Sequence, residues 1–400
     1  MKAVVVGSGL AGTMAAKTLR ELDRDVEILV LGEERYPYYP RPNLVEFVAG
    51  RLPFDRLFAF PPDWTSRQRI DVHLGQKVVR IVPPEKKVET ADGRSHPYDV
   101  LLLANGCRAV VPPLKGTERK GVFVLRTLDD AQAILGYLAG HPRVAVLGGG
   151  LLGLETARAL RSAGGEVRVV EFFDRLLPRQ LDPAGAAILK GQVEKMGIAV
   201  RLGTVTEEIE GDAEASGLRF QGGDRMEADM VVIAAGVRPE IGPAREAGLA
   251  VNRGIVADDL LRSSSPDIYV AGDAAEHRGN VYGIIPASFE QSRAAAYNML
   301  GIEKPYSGTV PSNTLKVAGL SVMSAGQVHP AEPGYEVLTR QTPEEGVYKK
   351  IVLKDGLLVG AIWMGTRKGL AEVSRMVALN SPVGPRKEDL LEDAFDWSGV

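Results

Sequence analysis

Lys2-Ala3-Val4-Val5-Val6-Gly7-Ser8-Gly9-Leu10-Ala11-Gly12 opens the chain, and its reading decides the fold. A short β-branched apolar run precedes three glycines spaced G-x-G-x-x-G. Thr13 to Leu22, rich in Ala, Leu and Met, reads as a helix, and Val26 to Leu31 as a second buried strand. The same grammar returns later. Arg143 to Leu147 reads as a strand, Gly148-Gly149-Gly150-Leu151-Leu152-Gly153 as the turn, Leu154 to Ala163 as a helix and Glu166 to Glu171 as a strand. Gly7 and Gly148 are 141 residues apart. A strand–turn–helix–strand unit repeated at that distance indicates one duplicated domain per copy.

Such a turn suits a dinucleotide. A pyrophosphate is a bulky dianion, and it binds where free backbone N–H groups and the positive end of a helix dipole converge. The first glycine permits the tight turn, the second lets the backbone approach the phosphate, and the third lets helix and strand pack closely. Gly7, Gly9 and Gly12 fill these places in one copy, and Gly148, Gly150 and Gly153 in the other. A lone copy often only links a strand to a helix; two copies, each with its strand and helix, are far more specific. An acid about 20 residues on accepts hydrogen bonds from a ribose. Glu171, 18 residues past Gly153, fits this role, with a solvated strand-end glutamate as the alternative. A carboxylate there repels a 2′-phosphate, so NADH is expected over NADPH, although Arg168, Arg175 and Arg179 lie nearby. In the first copy Gly32 stands where the acid is usual. Glu33, next in line, is the expected ribose ligand.

The remaining landmarks extend this frame. Lys87 to Asn105 reads as a hairpin turning at Ala91-Asp92-Gly93, then an apolar strand from Val100 to Ala104. Met230 to Ala235 and Ile268 to Ala271 are similar strands, ending at Gly236 and at Gly272-Asp273. After about Pro305 the βαβ rhythm stops. Val347 to Leu353 and Leu357 to Met364 read as a hairpin, and the polar stretch from about Ser381 is expected to pack loosely. The fold class is therefore α/β: two Rossmann-like, three-layer dinucleotide-binding domains and a small α+β carboxy-terminal domain.

Composition sets the outer limits. The chain has 400 residues, 45% hydrophobic and 25% charged, with a formal net charge of -3. That balance suits a soluble globular protein of two to four domains and carries no bias toward nucleic acid. No run of about 18 apolar residues suggests a membrane span. Met1 to Ala16 resembles a signal peptide in its Lys2 and apolar run, but the glycine pattern, flanked by strand and helix, argues against that. With one cysteine, Cys107, no intrachain disulfide or Cys-ligated cluster can form, and a cytoplasmic location is expected. His73, His96, His141, His277 and His329 show no metal spacing, so no metal site is expected. Phe54, Phe58, Phe60 and Trp64 read as core more than as a recognition surface.

Two G-x-G-x-x-G units, then Leu103-Ala104-Asn105-Gly106, Ala234-Ala235-Gly236 and Ile268-Tyr269-Val270-Ala271-Gly272-Asp273, make a specific set. It resembles the pyridine nucleotide-disulfide oxidoreductase superfamily over nearly the whole chain. Tyr36-Pro37-Tyr38-Tyr39-Pro40-Arg41-Pro42, Asp63-Trp64 and Thr314-Leu315-Lys316-Val317-Ala318-Gly319 are closer to the NADH:rubredoxin reductases and the amino-terminal part of NAD(P)H nitrite reductases. The resemblance implies FAD at the first glycine turn, including Leu10 and Ala11, and NADH (NAD+) at the second, including Leu151 and Leu152. It implies Glu33 at the adenosine ribose, the Val78 backbone at the adenine, and Asp273 at the ribityl chain. Ala104, Gly106, Gly236 and Gly272 are implied to line the cofactors. Arg41 would lie against the flavin, Lys316 would approach it, and Glu155, in the first turn of its helix, would sit where nicotinamide meets flavin. A surface arginine, a solvated lysine and a helix-capping glutamate are the plainer alternatives for these three. Residues 1–110 and 238–304 would bind FAD, 111–237 NAD, and 305–400 would form the interface domain.

Two departures stand out. Asn105 replaces the usual Thr, and the redox cysteines normally found near Tyr39 to Phe47 are absent. A disulfide reductase needs two thiols and a peroxidase needs one beside the flavin. Cys107, expected at the adenosine side or a domain junction, reads as a structural thiol. The flavin must then pass its electrons on directly. The expected function is an FAD-dependent NADH oxidoreductase serving a small electron-carrier protein, rubredoxin first. Arg51, Arg56, Arg67 and Arg69 would steer such an acidic carrier toward the flavin, with a solvated basic loop as the plainer alternative. The alternatives are a flavin subunit working with partner iron–sulfur subunits and a slow redox-sensing interaction protein; a homodimer or a hetero-complex is compatible with any of these.

Overall fold

The computed structural model describes residues 1–309, 312–317 (backbone alone), 319–385 and 387–397. The chain divides into two compact units. One holds Met1–Phe47, Leu52–Ala109 and Val237–Thr309; the other holds Val48–Arg51, Val110–Gly236 and Val310–Val400.

The first unit is built on a parallel five-stranded sheet in the order Ile268–Val270, Val100–Leu103, Lys2–Val6, Glu27–Gly32, Asp71–Leu74. The opening strand lies in the middle, with Val6 beside Leu31 on one side and Leu103 on the other. A central parallel strand is covered on both faces, which is why Ala3, Val4 and Val5 are wholly buried and the run is continuous rather than alternating. Helices Leu10–Leu22 and Ile285–Met299 pack together, and both contribute small buried residues, Ala11 and Ala15 on one and Ala294 and Ala295 on the other, to the same core. The expected hairpin is present as part of an antiparallel meander of Val78–Val82, Lys87–Thr90 and Ser95–Pro97.

A charge cluster in this unit, exposed at Asp259 and Arg278 and buried at His277, sets a pH dependence. Arg278 Nη2 lies 2.7 Å and His277 Nε2 2.9 Å from the Asp259 carboxylate, and in that order they hold its pKa down to about 2 from 3.8. A carboxyl depressed on folding contributes stability that is full above its unfolded pKa and is lost as pH falls through the folded one. Asp259→Asn is therefore expected to lower the Tm at pH 7, with the difference shrinking below pH 3.8 and gone near pH 2. Equal Tm values for the two proteins at pH 7 would refute this.

In the second unit the parallel sheet runs Ala199–Arg201, Glu166–Val170, Arg143–Leu147, Met230–Ile233, Val122–Val124. The strand before the second glycine turn is again flanked by its βαβ partner and by a strand ending in an Ala-x-Gly turn, so the sheet repeats the first one's core. Both glycine-turn helices begin three residues before the expected boundary, at Leu10 and Leu151. Glycine is a poor helix former and reads as a terminator, but here the third glycine of each turn lies inside the helix for a steric reason given below.

The same unit contains an antiparallel sheet in the order Ser312–Val317, Leu320–Gly326, Leu357–Met364, Val347–Lys354, Tyr335–Thr342, covered by helix Leu370–Ala378. The tail does not pack loosely as expected. Leu390 and Leu391 are buried in this core, and buried Lys349 donates to Leu391 O at 2.9 Å and to Asp393 Oδ1 at 2.6 Å while lying over the Trp363 ring. The anchoring lysine is 42 residues upstream of Leu391, so a local reading of the polar tail misses it. The aromatic expectation also needs correcting. Trp64 is half-buried against the core and stacks on Phe60, but Phe54 is 42% exposed. Phe54 and Trp64 start short elements, the 3-10 turn Phe54–Arg56 and the one-turn helix Trp64–Arg67, and it is the second that packs beside a strand of the sheet. Among the described residues no helix is long and apolar enough to cross a membrane.

Candidate cofactor-binding site

In the first unit Gly7 has φ +107° and donates to Leu31 O at 2.8 Å. A Cβ there would overlap Ala104 O, and one on Gly12 would overlap Gly7 O. Three backbone segments thus converge too closely for any side chain. Gly9 caps helix Leu10–Leu22 in an extended conformation, with no side-chain cap and no acidic residue in the first turn. A Cβ on Gly9 meets nothing within 4 Å. Packing therefore does not demand this glycine; it leaves the N–H groups of the first turn accessible without a side-chain acceptor, as a bound anion requires.

The second unit repeats this arrangement closely. Gly148 has φ +126°, donates to Val170 O at 2.9 Å, and would place a Cβ 2.5 Å from Ala234 O. A Cβ on Gly153 would overlap Gly148 O, whereas one on Gly150, the uncapped N-cap of helix Leu151–Ser162, meets nothing. Ala104 and Ala234 are thereby explained as the points where a neighbouring strand end touches the first glycine. Leu151 and Leu152, each 37% exposed, form the first turn.

The two acids differ. Glu171 is buried, and its carboxylate accepts from Phe173 N–H at 2.8 Å and from Gly149 N–H. It is a clamp on the turn rather than a solvated strand end. Glu33 is exposed and pairs with Lys77 at 2.8 Å. Gly32 is required because a Cβ there would collide with the Ser8 side chain, which accounts for the displaced acid. Gln76 N–H donates to Gly32 O at 2.7 Å, so the segment leading to buried Val78 runs beside Glu33. These positions suit a ribose and an adenine.

The clamp yields a prediction that differs from the sequence argument. Gln at 171 offers one acceptor and one donor to two N–H groups, leaving one buried donor unmatched, which costs about 1–3 kcal/mol. Glu171→Gln is expected to weaken NADH binding about tenfold or more without loss of FAD. Titration of the holoprotein tests this; a variant that only gained NADPH affinity would mean the clamp is unimportant.

Asp273 sits on the 3-10 turn Gly272–Ala274, and Gly272 (φ +80°) donates to Oε1 of buried Gln291 at 2.9 Å. Cys107, expected at the adenosine side or a domain junction, lies two residues before the unit boundary that follows Ala109, and its thiol donates to Asp273 Oδ2 at 3.1 Å. The ladder Cys107–Ala109 with Val237–Pro239 carries it there, a long-range pairing invisible in local sequence. Asn105 donates to Glu240 O at 2.7 Å beside this ladder, between Ala104 and the left-handed Gly106. Gly236 is left-handed in the corresponding place of the second copy.

Arg41 contacts Glu34 and the Tyr39 hydroxyl and lies 5.0 Å from the Tyr39 ring centre. Burial opposes its charge, but Glu34, Tyr39 and nearby Cys107 outweigh it and raise the guanidinium pKa. It is not a free surface arginine, and Cys107, the donor to Asp273, lies within its electrostatic reach. Helix Ile285–Met299 also begins without a side-chain cap or first-turn acid. Glu155 falls in the second helical turn, because the helix starts early, and pairs with Arg158 at 2.7 Å; it is not a cap. The Lys316 backbone lies in strand Ser312–Val317 opposite Ser321, and its side chain is outside the described residues. Among the described residues, no group of three or more His, Cys, Asp or Glu is placed to hold a metal.

Residues 1–296 match the pyridine nucleotide-disulphide oxidoreductase family, and 311–379 match the rubredoxin NAD+ reductase C-terminal domain. The chain is 38% identical to a nitrite reductase [NAD(P)H] of Bacillus subtilis over 90% of its own length and 45% of that protein. It is 29% identical to the NADH-rubredoxin oxidoreductase of Clostridium acetobutylicum, covering 92% of this chain and 93% of that one. The crystal structure of a ferredoxin reductase from Rhodopseudomonas palustris superposes with a TM-score of 0.88 at 26% identity, covering 99% of this chain and 98% of that chain. The chain spans about half the length of the nitrite and nitrate reductase relatives that it matches first.

Proposed function

Because this chain belongs to the pyridine nucleotide-disulphide oxidoreductase family, we propose that it is an FAD-dependent NADH oxidoreductase that passes electrons to a small redox protein, rubredoxin-like or ferredoxin-like. The observation that carries this reading is the pair of uncapped helix N-termini, each behind a turn whose first and third glycines tolerate no Cβ and each followed by a carboxylate. Residues 1–110 with 238–304 hold FAD, 111–237 hold NADH, and 305–400 face the acceptor. A flavin held there would supply the chemistry that links two-electron donation by NADH to one-electron delivery to the carrier.

The chain's own residues bind and orient. The first-turn N–H groups after Gly9 and Gly150 receive the two pyrophosphates. Asp273 accepts from the ribityl hydroxyls. Arg41, whose charge its neighbours reinforce, favours negative charge on the flavin, as does the N-terminus of helix Ile285–Met299. Lys316, whose side chain is outside the described residues, is a second candidate cation for the flavin, and Glu155 is the residue that would orient the nicotinamide. With a single thiol, no disulfide stores the electrons.

A specific observation favours a second reading. The first relatives are about twice as long as this chain, so the same flavin module also suits an electron-transfer subunit of a larger iron–sulfur enzyme.

Anaerobic mixing of the holoprotein with NADH and oxidised rubredoxin separates the two. Flavin bleaching followed by rubredoxin reduction supports the first. Bleaching with rubredoxin left oxidised shifts the acceptor to partner subunits, and a flavin that NADH cannot bleach overturns the nucleotide site.

A further inference from the structure

Eleven residues past Glu171, Asp182 stands at the end of a segment that folds back over the second glycine turn. Leu177, at φ +47°, donates its N–H to Gly149 O at 3.1 Å. Gly149 is thus held on both sides: its N–H by Glu171 and its carbonyl by Leu177. Leu176, Leu177 and Leu181 are buried, and a Cβ on Gly149 would lie 2.6 Å from Leu176 Cδ2. A leucine in the left-handed region is strained, and it persists only where its surroundings dictate it.

Those surroundings reach the antiparallel sheet of the same unit. Asp182 Oδ1 caps helix Pro183–Lys195 by accepting from Gly185 N–H at 3.0 Å. Its Oδ2 accepts from Tyr348 Oη at 2.7 Å and from Lys350 Nζ at 2.8 Å. Lys350 also donates to Val328 O at 3.0 Å, and both sheet residues are buried. Burial opposes ionisation of Asp182, yet Lys350, Gly185 and Tyr348 hold its pKa low. Weaker links repeat the join: Gln192 to Pro343 O at 3.1 Å, Lys195 to Glu344 O at 3.1 Å, and His329 to Arg179 O at 3.3 Å. A buried ion pair adds little stability over an apolar pair of the same shape. What it adds here is one fixed geometry for Asp182, because three donors converge on a single carboxylate.

We propose that Lys350 and Tyr348 are positioning residues for the NADH pyrophosphate: through Asp182 they hold residues 172–181 against the Gly148–Gly153 turn. This rests on the NADH reading above. The carboxy-terminal sheet is then part of the nucleotide site without touching the nucleotide, and NADH affinity depends on it. By reciprocity NADH binding stabilises the Asp182–Lys350 join.

The test uses the FAD-loaded full chain as wild type, Lys350→Met and Tyr348→Phe, the second keeping the ring in case the first fails to fold. NADH dissociation constants are measured by fluorescence titration, and amide exchange at Leu177 is read alongside. Expected are an NADH Kd raised about tenfold in Lys350→Met and by a smaller factor in Tyr348→Phe, faster Leu177 exchange, and unchanged FAD content. Adding Asp182→Asn to Lys350→Met removes the stranded charge; it should recover Tm but not NADH affinity. Wild-type Kd and Leu177 exchange in both single variants, even with a lower Tm, would overturn the proposal and leave a structural strut. If the wild type itself binds no NADH, the functional reading fails, and slow, unaltered Leu177 exchange in the variants sinks the inference separately.

Discussion

Gly153→Ala is expected to lose NADH binding by about 100-fold or more, equivalent to about 2.7 kcal/mol, while the protein keeps its FAD. The added Cβ falls on Gly148 O, a backbone atom that cannot rotate aside. Ordinary overpacking costs about 1–3 kcal/mol when side chains can adjust. Here the helix must move off the strand, and the N–H groups at its start move with it, away from the phosphate position. Gly12→Ala makes the same collision with Gly7 O in the other copy and should reverse the pattern, giving flavin-poor protein. The ratio of flavin to protein absorbance and an NADH titration read both. Gly153→Ala with wild-type NADH affinity would show that the second turn holds no pyrophosphate.

Asp273→Ala should release FAD. Asp273 is presented by a turn that Gln291 fixes, and its carboxylate is the acceptor for the Cys107 thiol. Hydrogen bonds to a charged group contribute about 1.5–3 kcal/mol, so FAD affinity should fall about tenfold to 100-fold. Asp273→Asn, which keeps an acceptor oxygen, should lose less. Cys107→Ala leaves the carboxylate in place and should retain FAD. Recovery of flavin fluorescence on dilution measures the three. Equal retention in Asp273→Ala and wild type would remove Asp273 from the cofactor site.

Much of the site was legible because its physics is local. The glycine spacings, the preceding apolar strands and the acid at the next strand end all lie within about 30 residues of sequence, the span of one βαβ unit. The strands and turns form where that spacing puts them: Val5 and Val146 each sit at the centre of a parallel sheet, and Gly7 and Gly148 adopt positive φ. The helix starts were misjudged because Gly12 and Gly153 look like breakers unless the opposing carbonyl is known. The loose tail was misjudged because Lys349, which pins it, lies on a distant strand.

The sequence alone determined that two glycine turns of the dinucleotide-binding type exist, that Glu171 follows the second, and that no second thiol is available. Each of these follows from residue type and short-range spacing. Only the tertiary structure decided that Cys107 reaches Asp273, 166 residues away, and that Lys350 reaches Asp182, 168 residues away. It also decided that Arg41 turns back onto Glu34, although only 7 residues separate them. Such contacts arise from sheet register, helix packing and the path of a turn, which fix the positions of whole elements, and no local preference of either residue encodes them.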